Sequence, residues 1–204
     1  MASASHPTEA SSSTKPIGGS ASCSRLRRKT LHWPSSQIAA AINYHFDGKD
    51  GLYRDVLRAA FRSLTAEQLE HADEMKSMSR EDALHEFIRR QLRPLAGRDE
   101  ASRYMRIFNW ETVRPTPVFR KLISEEAAPF MGLAVELVHR FQPDADQRTL
   151  MAAAIWLLGQ CSVFLRNREQ LADPPMGLVL DDATVGWLAE AISRWASGGL
   201  ARSA

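Results

Sequence analysis

The sequence holds only two cysteines and six histidines among its 204 residues. Cys23 lies in a polar segment and Cys161 in an apolar one, so we expect no disulfide and a reduced, cytoplasmic setting. No cysteine and histidine have the spacing of zinc ligands, and neither a phosphate-binding loop nor a catalytic motif is present. These absences predict a protein without catalytic residues, metal or cofactor, and they argue against an enzyme.

Long hydrophobic runs are also scarce. The longest, residues 150–165, contains Gln160 and is short for a helix that crosses a membrane. The N-terminal end lacks the apolar segment of a secretory signal, so we expect neither secretion nor membrane insertion.

The net charge of the whole chain is only +2, but the charge is unevenly distributed. Residues 1–46 carry five basic residues against one acidic residue, and the remainder is mildly acidic. A basic end of this kind suits phosphate binding, although a solvated tail would have the same composition.

From residue 38 onward, apolar residues recur at helical spacing and no alternating strand pattern competes with them. We therefore predict an all-α protein, with a bend at the proline of the fourth of these helices. The expected helices cover about 49–75, 79–97, 100–113, 118–141, 146–168 and 181–196. Ser79 with Asp82 is typical of a helix start, and Gly97 is typical of a helix end.

One stretch, residues 41–57, organises the rest of the chain. Its sequence is AINYHFDGKDGLYRDVL, in which a short helix end runs into a turn and then into a new helix. Gly48 supplies the backbone freedom for the turn, and Asp47 is expected to cap the helix that begins near Lys49.

This stretch resembles the junction between the recognition helix and the long fourth helix of TetR-like (tetracycline-repressor-type) transcriptional regulators. Tyr44, His45, Phe46, Lys49 and Leu52 fit the family pattern without a gap. The resemblance implies that Tyr44, His45 and Lys49 bind the phosphates of a double-stranded DNA operator. The DNA-binding residues predicted in this way are Gln37, Ala39, Ala40, Asn43, Tyr44, His45 and Lys49.

A second set of motifs lies farther along the chain. Glu111 with the Pro115-Thr116-Pro117 turn, and the run of residues 157–161 followed by Phe164, resemble the effector domain of the TetR subgroup with CerR-like and YbiH-like regulators. The resemblance implies a pocket for a small, largely apolar effector, although each candidate liner could equally be ordinary core. The candidate ligand-binding residues are Phe108, Trp110, Glu111, Phe130, Trp156, Gln160, Cys161 and Phe164.

The resemblance also implies a homodimer that pairs through its last two long helices, about 146–168 and 181–196. The segment 150–165 is apolar nearly all round, which fits a helix covered by the body on one face and by a partner on another. A monomer with a thick core is the alternative.

Residues 1–37 depart most from the TetR pattern. They are rich in serine, are interrupted by prolines and have no apolar period, so we expect a disordered or aberrant segment. A change of reading frame in this stretch is one hypothesis for its origin. The expected domains are therefore 1–37, a remnant of the DNA-binding head over 38–75, and an effector-binding and dimerisation domain over 76–204.

The predicted function is that of a ligand-responsive DNA-binding transcriptional regulator, of the repressor kind. Two alternatives stay open. One is an effector-binding helical dimer that has lost specific DNA binding because its head is incomplete, and the other is a helical enzyme for a small molecule.

Overall fold

A computed structural model of the chain describes residues 40, 43–97 and 100–202, apart from the side chains of residues 100–102 and 202. The described residues contain no strand, which confirms the all-α class. After a helical stretch at residues 43–46, the helices are α1 (Gly48–Glu70), α2 (Ala72–Ser77), α3 (Arg80–Ala96), α4 (Glu100–Val113), α5 (Pro117–Glu126), α6 (Ala128–His139), α7 (Gln147–Arg166), α8 (Arg168–Ala172) and α9 (Asp182–Arg202).

The helix ends follow the capping chemistry of the sequence at several positions. The Ser79 side chain accepts a hydrogen bond from the Asp82 amide at 3.1 Å, and Gly97 terminates α3, so both predicted ends of this helix are confirmed. Asp146 caps α7 in the same way, accepting from the Thr149 amide at 2.7 Å.

Three predicted boundaries were wrong. The first helix ends at Glu70, and His71 separates it from α2 instead of continuing to residue 75. The segment 118–141 forms two helices that meet at Ala127, because Pro129 lies in the first turn of α6, where its missing amide proton leaves no bond unmade. The last helix continues to Arg202.

The prediction that Asp47 caps α1 was also wrong. Asp47 adopts a left-handed backbone conformation with φ of 56°, and its side chain makes no capping hydrogen bond. The turn instead uses two consecutive residues with positive φ, since Gly48 follows with φ of 88°.

The larger core cluster joins α2, α3, α6, α7 and α9, and the apolar face predicted for α3 is fully buried within it. Buried amides connect elements around this core: Gln68 of α1 donates to the Phe87 carbonyl of α3 at 2.8 Å, and Gln142 donates to the Leu200 carbonyl of α9 at 2.9 Å. These contacts fix the body against which α1 lies.

A second, smaller cluster fastens α1 to α4 and α5. Leu57 and Phe61 of α1 are buried against Phe119 and Leu122 of α5. Phe108 of α4 stacks on Phe61 with ring centroids 6.0 Å apart, and it meets Phe119 edge to face at 5.1 Å. The helix that begins at the predicted DNA-facing turn is therefore held by its own aromatic cluster.

Helix α7 is long and apolar enough to cross a membrane, judged by length and composition alone, within the part of the chain that the structure describes. It extends the 16-residue apolar run to 20 residues. Five of its residues, spaced as one helical face, are buried in the larger core cluster.

Candidate functional site

The described residues of the predicted DNA-binding set lie on the surface at the N-terminal end of α1. Ala40, Asn43, His45 and Lys49 are exposed, and Tyr44 is exposed to 85%. Gln37 and Ala39 lie outside the described residues. The neighbouring Phe46 is half-buried.

The junction between residues 43–46 and α1 is held by a close backbone approach. A Cβ added at Gly51 would stand 1.5 Å from the Phe46 carbonyl oxygen, so only glycine fits there. The Asp47 side chain makes no capping hydrogen bond to the first amide groups of α1. Amide groups at a helix start attract phosphate, and Lys49 lies in this first turn.

A cavity of about 230 Å³ lies farther along α1, between this helix and the body. Its volume is just below the roughly 300–1,000 Å³ of typical small-molecule sites. Its apolar lining comes from five helices: Phe61 and Leu64 of α1, Pro94 of α3, Met105 and Phe108 of α4, Phe130 of α6, and Leu158 and Leu165 of α7.

The polar groups of the cavity are few and most are already bonded to the backbone. Thr65 bonds the Phe61 carbonyl at 2.9 Å, Thr112 bonds the Asn109 carbonyl at 2.8 Å, and Ser162 bonds the Gly159 carbonyl at 3.0 Å. Arg166 lies at the edge and is exposed. A mainly apolar ligand fits such a lining, because little polar surface loses water when it enters.

The structure brings together two of the predicted ligand-binding residues, Phe108 and Phe130, in the wall of this cavity. The others lie apart from it. Trp110 is exposed outside the cavity lining, Trp156 and Gln160 lie on the outer side of α7, and Phe164 packs against the larger core.

Cys161 and Glu111 are fully buried, away from the cavity lining. Burial raises the pKa of the Cys161 thiol to about 12, so this cysteine is a neutral core residue. The Glu111 carboxylate accepts hydrogen bonds from the Tyr53 hydroxyl and from the Thr116 amide, the latter at 2.7 Å.

Glu111 connects three elements. Tyr53 belongs to α1, Glu111 to α4, and Thr116 is the residue that caps α5 by accepting from the Phe119 amide at 3.2 Å. The Thr116 hydroxyl also donates to Glu111 at 3.1 Å. A buried carboxylate with three donors is well satisfied, and it joins α1 directly to the body beside the cavity.

Sequence reasoning missed Phe61, Leu64 and Thr65, the contribution of α1 to the cavity. The apolar spacing of α1 identifies its buried face, but it does not tell which part of that face meets a void. That distinction requires the position of α7 opposite.

No group of three or more histidine, cysteine, aspartate or glutamate side chains suited to a metal ion occurs among the described residues. The cavity lining offers apolar contact, a few hydroxyl and amide groups, and the guanidinium of Arg166.

The all-α architecture is consistent with the fold of TetR-type transcriptional regulators. Residues 80–199 match the family described as HTH-type transcriptional dual regulator CecR, C-terminal domain. The match spans more than half of the chain, which therefore belongs to this family. No curated protein matches the chain.

Proposed function

We propose that this chain is a homodimeric, ligand-responsive repressor, cytoplasmic in location, that binds operator DNA and releases it when a small, largely apolar effector enters the cavity. The observation that carries the proposal is the position of the cavity, whose wall includes Phe61, Leu64 and Thr65 of α1. The same helix begins beside the exposed Tyr44, His45 and Lys49. We further propose membership of the CerR- and YbiH-like subgroup and domain boundaries near residues 37 and 75.

Ligand entry would act on DNA through α1 as a lever. At a rise of 1.5 Å per residue, Lys49 is about 18 Å from Phe61 along the helix, and a tilt of about 10° would move it by about 3 Å. A dimer that binds two operator half-sites depends on the spacing of its two heads. An effector that favours one tilt over another shifts the population away from the DNA-binding state.

An apolar surface on α7 and α9 supports the homodimer. Ile155, Trp156 and Val163 of α7 are exposed, as are Trp187 and Trp195 of α9. The Trp156 ring lies close to Gly199, since a Cβ there would stand 3.8 Å from the indole, so the two helices present one surface. Exposed aromatic and branched side chains of this extent are typical of interfaces.

A cavity-filling variant tests the proposal without a known effector. Ser162 lines the cavity from α7 and is exposed, so Ser162→Phe adds bulk where a ligand would lie. Ser124 of α5 is a matched control, because it too is exposed and bonds the carbonyl three residues earlier, but it lies outside the cavity. DNA selected from a randomised library by the full chain would be titrated with each variant by fluorescence anisotropy.

We expect Ser162→Phe to weaken operator binding and Ser124→Phe to leave it unchanged, with both variants retaining the oligomeric state of the parent chain. Equal affinities for all three proteins would contradict the lever. The second candidate, a dimer without specific DNA binding, is favoured by the absence of a helical period in residues 1–37. Only weak, salt-sensitive binding of the parent chain at about 150 mM salt would support it, whereas nanomolar binding to a palindromic site would exclude it.

A further inference from the structure

A groove of about 720 Å³ lies next to the cavity, between α4 and the region around α8. The cavity and the groove share Pro94, Met105, Asn109 and Arg166 in their linings. The cavity and the groove are therefore adjacent spaces.

The groove has an excess of positive charge. Its lining includes four arginines, Arg103, Arg106, Arg166 and Arg168, with Glu169 as the one carboxylate among its described residues. Within the described part of the chain none of these arginines forms an ion pair. Arg58 and Arg90, by contrast, each contact a glutamate.

Apolar side chains stand beside these charges. Trp110 is 67% exposed and Val113 is 64% exposed, and both line the groove. An exposed indole among guanidinium groups offers a flat apolar contact next to hydrogen-bond donors. The groove therefore suits the part of a ligand where an apolar body meets a negatively charged head.

We propose that the effector is an amphipathic organic anion, with its apolar part in the cavity and its carboxylate, sulfonate or phosphate head against the arginines of the groove. Arg166 lies at the junction of the two spaces and Arg106 farther along the groove. This inference rests on the proposed function, because it assigns a chemical class to the effector of the same cavity. Apolar burial supplies affinity, whereas the guanidinium groups select for the charge.

Probes that share one alkyl chain test the charge selection. The full chain would be titrated with decanoate, decanol and decyltrimethylammonium by isothermal calorimetry, each below its aggregation concentration. We expect decanoate to bind about tenfold more tightly than decanol, and the cation to bind most weakly. The advantage of decanoate should shrink at about 0.5 M sodium chloride, because the arginine heads are exposed and screened by salt.

A double variant, Arg106→Gln with Arg166→Gln, tests the assignment to the groove. Both side chains are exposed, so we expect the fold to persist, as checked by circular dichroism. The affinity for decanoate should fall about tenfold, to that for decanol, while the affinity for decanol stays the same. Arg148→Gln is the matched control, since Arg148 is an exposed arginine at the opposite end of α7 from Arg166 and should leave the preference intact.

Equal binding of decanoate and decanol by the parent chain would overturn the inference, as would a preference that survives in the double variant. No measurable binding of decanoate up to its solubility limit would also overturn it. None of these results decides whether the chain is a ligand-responsive repressor, which is tested by the DNA affinity of the Ser162→Phe variant. The failure of the two proposals can therefore be told apart.

Discussion

The Tyr53 hydroxyl of α1 donates a hydrogen bond to the fully buried Glu111 carboxylate of α4. This bond joins the helix that begins at the predicted DNA-facing turn with the helix that carries Phe108. It is a polar attachment of α1 to the body, next to the aromatic contact between Phe61 and Phe108. Glu111 keeps its two bonds from Thr116 when Tyr53 is removed, so the contribution of Tyr53 can be measured separately.

Tyr53→Phe should lower the free energy of unfolding by about 1–2 kcal/mol, because a hydrogen bond to a carboxylate is lost while the ring stays. Burial and the bond to Glu111 raise the pKa of Tyr53 to about 12. A raised pKa favours the neutral phenol, so this stability is present below about pH 10 and is lost as the pH rises through about 12. Chemical denaturation as a function of pH checks both expectations. Tyr44→Phe is the control, because Tyr44 is 85% exposed and should change stability little.

Acid should weaken the contact of Glu86 with two arginines. The Glu86 carboxylate bonds Arg89 at 2.7 Å and Arg90 at 2.6 Å, and these bonds, Arg89 first, lower the pKa of Glu86 from 4.5 to about 2. A lowered pKa stabilises the fold above about pH 4.5, and this contribution disappears as the pH falls through about 2. We expect Glu86→Gln to lower the free energy of unfolding at pH 7. Near pH 2 the free energies of unfolding of the variant and the parent chain should converge. A constant difference across this range would show that the carboxylate charge is not involved.

A charge on the outer face of α7 should prevent dimer formation. Ile155 is 58% exposed on that face, so Ile155→Glu would place a carboxylate in the proposed interface, where it would be desolvated without a partner. A stable interface buries more than about 1,200 Å², so the charge would lie inside it. Light scattering should therefore give a dimer for the parent chain and a monomer for this variant. Met176→Glu is the control, since Met176 is also exposed, at 63%, but lies in the loop after α8. A parent chain that is monomeric at micromolar concentration would contradict the homodimer.

Removal of the charge at Lys49 should weaken DNA binding without changing sequence preference. Lys49 is exposed at the start of α1, and we propose that it contacts phosphate rather than a base. We expect Lys49→Ala to reduce the slope of log affinity against log salt by about one, equally for selected and random duplexes. Lys76→Ala removes the same charge from α2, where Lys76 lies 3.0 Å from Asp73, and should leave the slope unchanged. A loss confined to one base position would mean that Lys49 reads sequence.

The sequence by itself determined the helical class, most helix starts and the position of the turn before α1. These features are local, because apolar period, capping side chains such as Ser79, and glycine at a turn act over a few residues. The failures among local predictions were local too. Asp47 was expected to cap α1, but it adopts a left-handed backbone conformation and its side chain makes no capping hydrogen bond.

Only the tertiary structure decided which side chains form the candidate site. Trp110 and Glu111 are neighbours in sequence, yet one is 67% exposed and the other fully buried, because successive helical residues point about 100° apart. The cavity is lined by Phe61, Phe108 and Leu158, which belong to three different helices. Their separation along the sequence does not predict that they lie around one cavity. The arginine groove likewise joins residues about 60 positions apart, and contacts of that range arise from how helices pack, which local periodicity does not encode.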